Sequence, residues 1–434
     1  MRRWHQLLSG ATRAQAIAAI EEIGAQARAS RETEPSLAGG TAGLAVFHAY
    51  LAEARGNEAD RQAAIHFLDQ AMDAVAFTRM EPSLYSGFTG VAWAVPHLAR
   101  RLGETNLEDA SASVDDALLQ LLRQSPWQRD YDLINGLVGF GVYALERLPR
   151  PAAAASLELI VDRLDEIAER DSAGATWFTP PELIPEEARQ GHYNLGLAHG
   201  VPGVIALLGA VCAAGVATTK ARALLEDAMP WLEAQRLPGG LSSSFPTYLE
   251  RGVAATPTRS AWCYGDPGIA AALLVAARSS ADPVLERRAI ALALRAARRG
   301  ADESGVVDAG LCHGAAGLGH IFNRFFQATG EAAFADAARF WFERVLEMRQ
   351  PEGGVAGFFA SHRDAKTGQR RLVAETGLLQ GAAGIALALL AATTSIEPEW
   401  DRMLLISVPP VFHSRPHRHA ARALLEPQLE AGVT

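Results

Sequence analysis

One short phrase occurs seven times in this chain: two glycines three residues apart, followed by a run of mostly apolar residues. The pairs are Gly40/Gly43, Gly87/Gly90, Gly136/Gly139, Gly200/Gly203, Gly265/Gly268, Gly314/Gly317 and Gly381/Gly384, spaced 47, 49, 64, 65, 49 and 67 residues apart. The runs after them include LAVFHAYL, VIALLGAV, IAAALLVAA and IALALLAA. Self-similarity at that period signals repeated units, none of which can bury its apolar side alone. Two of the seven phrases also carry side chains suited to binding a metal, so the repeat locates the chemistry as well as the fold.

Glycine just before a helix lets the backbone turn sharply and lets neighbouring chain come close. The runs that follow are apolar nearly all round, as expected of helices surrounded by other helices. Between them lie charged, alanine-rich segments at 64–77, 113–124, 156–170, 285–299 and 334–348. Their apolar residues recur every three or four positions, the mark of a helix with one wet face. The expected unit is an outer amphipathic helix, a glycine turn and an inner apolar helix. Seven such units suit an all-α fold, a closed α/α toroid over residues 39–407, with the turns crowded at one end. An open solenoid is the competitor, but its terminal units would look like caps, and these do not. Residues 1–38 read as a helical lead-in and 408–434 as a C-terminal tail. Excursions near 171–198 and 233–260, rich in Pro, Gly, Ser and aromatics, predict a small irregular or β-containing extension, and 351–371 a long loop with hairpin-like turns.

With 434 residues and 49% hydrophobic content, the chain is ample for a large core. Net charge is −9 with mixed signs throughout, which argues against a nucleic-acid partner. The longest apolar runs are about half a membrane span, and MRRWHQLLSGATRAQ lacks an apolar stretch of signal-peptide length. Three cysteines in so large a chain point to a reducing compartment rather than a disulfide framework, hence a cytoplasmic location.

Those cysteines differ in setting. Cys212 lies mid-run in VIALLGAVCAAG and reads as a small buried hydrophobe. Cys263, in AWCYGDPG, flanks the fifth glycine pair; Cys312 and His313, in GLCHGAAG, flank the sixth. If the turns share one end of a ring, these side chains converge despite lying 49 residues apart. Two thiolates and an imidazole are good zinc ligands, and three ligands without a fourth is the pattern of a catalytic zinc that keeps one position open.

The phrases YDLINGLVG (131–139), NLGLAHGVPG (194–203), AWCYGDPG (261–268), GLCHGAAG (310–317) and LLQGAAGIAL (378–387) resemble the lanthionine synthetase C-like family over most of the chain. The resemblance implies an α/α toroid with one Zn2+ held by Cys263, Cys312 and His313. It implies a lanthipeptide cyclase, joining a peptide cysteine thiol to the β-carbon of dehydroalanine or dehydrobutyrine to close a lanthionine or methyllanthionine ring. It further implies that His199, in AHG, transfers protons, that Asp132 is the acidic active-site residue, and that Arg259 and Tyr264 fill two further active-site positions. Since about 38 residues precede the ring, the expectation is a stand-alone cyclase whose substrate, a dehydrated precursor peptide, comes from a separate dehydratase. A transporter is a further expected partner, which would place the protein peripherally at the membrane.

Two rival classes share features with this reading. One is a related zinc enzyme that adds glutathione to dehydrated residues. The other is a non-catalytic peptide-binding scaffold of a modification complex, which predicts lost ligands; none is missing. The tail carries His413, His417 and His419, read as part of a polar tail rather than a second metal site.

Overall fold

The structure is a computed structural model that describes residues 4–103, 110–184, 190–364 and 367–408. The tail with His413, His417 and His419 lies outside the described residues. Each glycine pair opens a helix: α2 (Thr41–Arg55), α4 (Phe88–Leu102), α6 (Leu137–Arg147), α8 (Val201–Ala213), α10 (Asp266–Ser280), α13 (Ala315–Thr329) and α15 (Ala382–Thr393). These seven pack side by side, and α15 returns to α2, so the ring closes. They are buried on every side; in α15 all twelve residues are. Around them stand α1 (Gly10–Arg28), α3 (Glu58–Phe77), α5 (Ala112–Leu122), α7 (Pro151–Glu166), α9 (Thr218–Ala234), α11 (Pro283–Ala297) and α14 (Ala332–Glu347), with a single turn, α12 (Ala301–Ser304), between α11 and α13. In α11 only Leu285, Ala289, Leu292, Ala293 and Ala296 are buried, a stripe at helical spacing. The molecule is an α/α toroid.

The pairing of inner with outer helices runs the other way from the expected unit. Among the outer helices, α2 packs chiefly on α3, α6 on α7, α8 on α9, α10 on α11 and α13 on α14, so these inner helices take the outer helix that follows them; α4 is the exception and leans on α3, which precedes it. This leaves α15 without a follower, and α1 fills the place. The lead-in helix therefore completes the outer ring. Ala16, Ala19, Ile20, Ile23 and Ala27 are its buried face. Ahead of it, Leu7 and Leu8 donate their N–H groups to the Ala392 carbonyl at 2.9 Å, and the Trp4 indole donates to Ala391 O at 2.7 Å. At its far end Arg28 pairs with buried Asp60 of α3, which also meets His48 of α2 at 3.3 Å.

The glycine phrase has a steric cause. A Cβ on Gly87 would lie 1.9 Å from the Glu81 carbonyl oxygen, and one on Gly90 1.8 Å from that of Leu84. Most of the other pairs are pressed by their own turns in the same way. The first glycine of a pair is ordinarily extended; only Gly265 also needs the left-handed region, with φ at +103°.

The turns are tied to one another by main-chain bonds. Two residues before the first glycine of a pair, the N–H donates to the carbonyl at the equivalent position of the next turn. These bonds run from Leu379 to Ala38 (2.8 Å), Ala38 to Tyr85 (2.9 Å), Ala198 to Cys263 (3.3 Å), Cys263 to Cys312 (3.3 Å) and Cys312 to Leu379 (2.8 Å). Leu133 N–H to Ala198 O, at 3.1 Å, adds a link one residue out of step. The result, among the described residues, is a hoop of six links around one mouth of the ring, open between Tyr85 and Leu133, beneath which the seven inner helices begin.

The excursions hold the small sheets. A hairpin, β1 (Glu169–Asp171) with β2 (Gly174–Thr176), packs on α9. β3 (Phe178–Thr179), β4 (His192–Asn194) and β5 (Tyr248–Glu250) form one antiparallel sheet that draws on both central excursions. The 351–371 loop contains a hairpin of β6 (Ala360–Arg363) and β7 (Arg370–Val373).

Candidate metal centre

Cys263 and Cys312 occupy equivalent points of adjacent turns, and the hoop bond from Cys263 N–H to Cys312 O holds those turns together. His313 follows Cys312. One ligand atom from each of Cys263, Cys312 and His313 lies within 4.8 Å of the other two. The three side chains set 49 residues apart in sequence thus meet. Tetrahedral zinc takes sulfur at about 2.3 Å and nitrogen at about 2.0 Å, which a donor triangle of this size accommodates. Both cysteines are buried, while His313 is partly open. Cys212, in α8, is far along the chain from any turn and donates toward Thr218 O.

The two thiols interact directly and shift one another in opposite directions. The Cys312 hydrogen bond holds the Cys263 thiol well below its ordinary range, with help from His313 and Arg259 against the effect of burial. The same bond to Cys263, with burial, pushes Cys312 up. The Arg259 guanidinium sits 3.8 Å from Cys263 Sγ, placed to balance the sulfur's charge. The N-termini of the surrounding inner helices add positive potential at this mouth.

On the neighbouring turn stands His199. Its Nδ1 lies 2.7 Å from Asp132 Oδ2, and its ring stacks on that of Tyr264 with centroids 5.8 Å apart. Burial lowers the imidazole pKa, but the Asp132 carboxylate, Cys263 and Asp130 outweigh it and raise it above 6.5. Its side chain is 37% exposed, so an incoming group can reach it. Asp132 is itself buried and caps the turn by accepting from Asn135 N–H at 2.7 Å. Burial pushes the Tyr264 phenol up to about 12. Asp132, His199, Arg259, Tyr264 and the three metal-type ligands therefore gather at one mouth.

Three further polar residues join them that are not among the expected site residues, although one, Asn194, opens the phrase NLGLAHGVPG. Asp308 Oδ2 lies 3.8 Å from His313 Nε2 and accepts from Ser361 N–H of β6 at 2.9 Å. Burial and the Asp132 charge raise the Asp130 carboxyl to about 6. Asn194 donates to the Tyr264 hydroxyl at 3.1 Å. All three stand six residues before the first glycine of a pair, where the other turns have Glu34, Glu81, Arg259 and Glu375. That shared offset was the available signal.

A cavity of about 1100 Å³ lies at the opposite mouth, lined by the C-terminal halves of inner helices and by Glu146, Arg278, Arg324 and Arg402. It contains none of the cysteine-centre residues. Volume and donor chemistry thus lie at opposite ends of the ring.

A closed helical toroid with a Cys–Cys–His cluster beneath its turns defines a class: an α/α-barrel protein equipped to hold a thiophilic metal. The model of lanthionine synthetase C-like proteins matches residues 31–405, and the chain belongs to that family. Among solved structures it is similar to nisin cyclase, with 21% identity, a TM-score of 0.72, and coverage of 89% of this chain and 96% of that one. A sugar epimerase from a ruminal bacterium is a looser likeness, at 10% identity and a TM-score of 0.45 over 71% of this chain and 87% of that one. No curated protein matches the sequence.

Proposed function

We propose that this protein is a zinc-dependent lanthipeptide cyclase. The observation that carries the reading is the convergence of Cys263, Cys312 and His313 within 4.8 Å, one turn away from the His199–Asp132 pair. Family membership and the likeness to nisin cyclase support it. When bound, the zinc would supply a Lewis-acid site that makes a substrate thiol a thiolate at neutral pH.

The reaction joins the peptide cysteine sulfur to the β-carbon of dehydroalanine or dehydrobutyrine. The sulfur gives up its proton and a carbon–sulfur bond forms. The alkene π pair moves to the α-carbon and its carbonyl as an enolate, and a proton then returns to the α-carbon, so the sum is an isomerisation. His199 is placed to take the first proton and deliver the last, with Asp132 holding the ring through Nδ1 and leaving Nε2 for substrate. Arg259 offers a guanidinium to negative charge developing near Cys263. Tyr264 stacks on His199 and supplies a hydroxyl at the same place.

The substrate would be a precursor peptide already dehydrated by a separate enzyme, and a transporter is a natural further partner. Three unpaired cysteines in so large a chain support a reducing, cytoplasmic setting for this work. Among the described residues no helix is long and apolar enough to cross a membrane.

The test is incubation of the zinc-loaded protein with a dehydrated Cys-bearing peptide, counting free thiols by alkylation and mass spectrometry. Loss of one alkylation site per ring without mass change is the expected result. Thiols left free at one equivalent of zinc, or left free while the dehydrated residues gain the mass of added glutathione, would overturn it.

A further inference from the structure

Of the seven residues that stand six before a first glycine, only Asn194 is not ionisable. Its surroundings show what an amide does there. Asn194 Oδ1 accepts from Gly196 N–H at 2.9 Å, which fixes which end of the amide is oxygen. Its Nδ2 then faces the Tyr264 hydroxyl at 3.1 Å and His192 Nε2 at 3.4 Å. The side chain is buried at the end of β4. An amide N–H can only donate. The Tyr264 oxygen is therefore the acceptor of that bond, and its own hydrogen is left for a group that enters the site. Gly196 lets the phenol lie this close, since a Cβ there would meet the Tyr264 ring at 2.6 Å.

We propose that Asn194 is a positioning residue that makes Tyr264 a hydrogen-bond donor in the cyclisation site, and that the β3–β4–β5 sheet holds the amide in place for this. A carboxylate, as at Asp130 or Asp308, would do the reverse: it would take the tyrosine's hydrogen for itself. The sheet reaches the site through β4, whose His192 and Asn194 pair with Glu250 and Tyr248 of β5. The inference rests on the cyclase reading for its kinetic test and is independent of that reading in its spectroscopic one.

The experiment is a double-mutant cycle on the zinc-loaded protein, using N194D, N194A and Y264F with a dehydrated peptide. In the wild-type background N194D lowers kcat by about tenfold or more, as expected when a proton donor is turned away, while KM, bound zinc and the unfolding midpoint stay near the wild-type values. N194A gives a smaller loss. In the Y264F background both substitutions change kcat by less than about twofold, because the group they act through is gone. An equal loss in both backgrounds would show a merely structural asparagine and overturn the proposal. Should N194D not fold, the N194A pair decides in the same way.

The chain has five asparagines, so selective nitrogen-15 labelling gives a readable side-chain amide spectrum. Y264F should move one Asn194 amide proton upfield; an unmoved pair overturns the assignment whether or not the protein cyclises anything. A wild-type protein that leaves every thiol free defeats the cyclase reading instead, and the amide resonance then decides this one.

Discussion

At the scale of the residue, all three cysteines are buried, and position on the turns sets two of them apart from the third. Cys263→Ala or Cys312→Ala removes a sulfur from the donor triangle, so bound zinc should fall well below one equivalent and ring closure should stop. Cys212→Ala, in α8, should leave both intact. Metal analysis of the three purified variants checks this, and full zinc in either of the first two would count against the centre. His199→Ala should keep zinc but slow cyclisation by about 10²–10⁴-fold, the usual worth of a positioned proton-transfer group. The Asp132 bond predicts a titration as well. Because the folded imidazole is raised above 6.5, its ion pair stabilises the fold fully below that pH, and the contribution is lost as pH rises through the raised value. Asp132→Asn removes the main raising influence while burial stays, so the His199 midpoint in a proton NMR titration should drop. An unmoved midpoint would break the pairing.

At the scale of the element, the turn is the unit that matters. Gly90→Ala would drive a methyl to 1.8 Å from the Leu84 carbonyl oxygen, with no flexible side chain to yield. A cost of at least about 1–3 kcal/mol is expected, as for other overpacked sites. Gly39→Ala, one residue outside the Gly40 pair, meets nothing within 4 Å and should be nearly neutral. Denaturant unfolding of the two variants separates them, and equal stabilities would refute the steric account. Here too lies the boundary of what the sequence makes legible. Phrases such as AWCYGDPG mark a helix start and the ligand flanking it, because a crowded backbone demands glycine in a fixed pattern. Asp308 and Asn194 escape such reading, since their roles come from β6 and from Tyr264, elements brought near only by the closed ring. The β excursions betray themselves by composition, but nothing local announces that β3 and β4 from one join β5 from the other.

At the scale of the molecule, closure depends on a helix with no glycine phrase of its own. Nothing in GATRAQAIAAIEEIGAQAR says that it will cover α15, and the family match itself begins at residue 31. Only the count reveals it: seven inner helices need seven covers, and the last has none after it. A chain beginning at residue 31 would bare the α15 face now covered by Ile20, Ile23 and their neighbours. Burial of such side chains is worth about 1.5–3 kcal/mol each, a large share of a typical stability of about 5–15 kcal/mol. The truncated protein should unfold at a markedly lower temperature, and adding residues 1–30 as a separate peptide should restore part of the loss. Calorimetry would show it; an unchanged midpoint would mean the ring closes without α1.

The bonds that link one turn to the next involve peptide groups alone. The side chain on each link, whether of Ala38, Tyr85, Ala198, Cys263, Cys312 or Leu379, takes no part in these main-chain bonds. The mouth of this barrel is thus a row of sockets on a shared main-chain collar, though not all are free to change, since Tyr85 is buried against Trp262. Two adjacent sockets hold sulfur, and others could be refitted with different reactive groups while the frame beneath them stayed as it is.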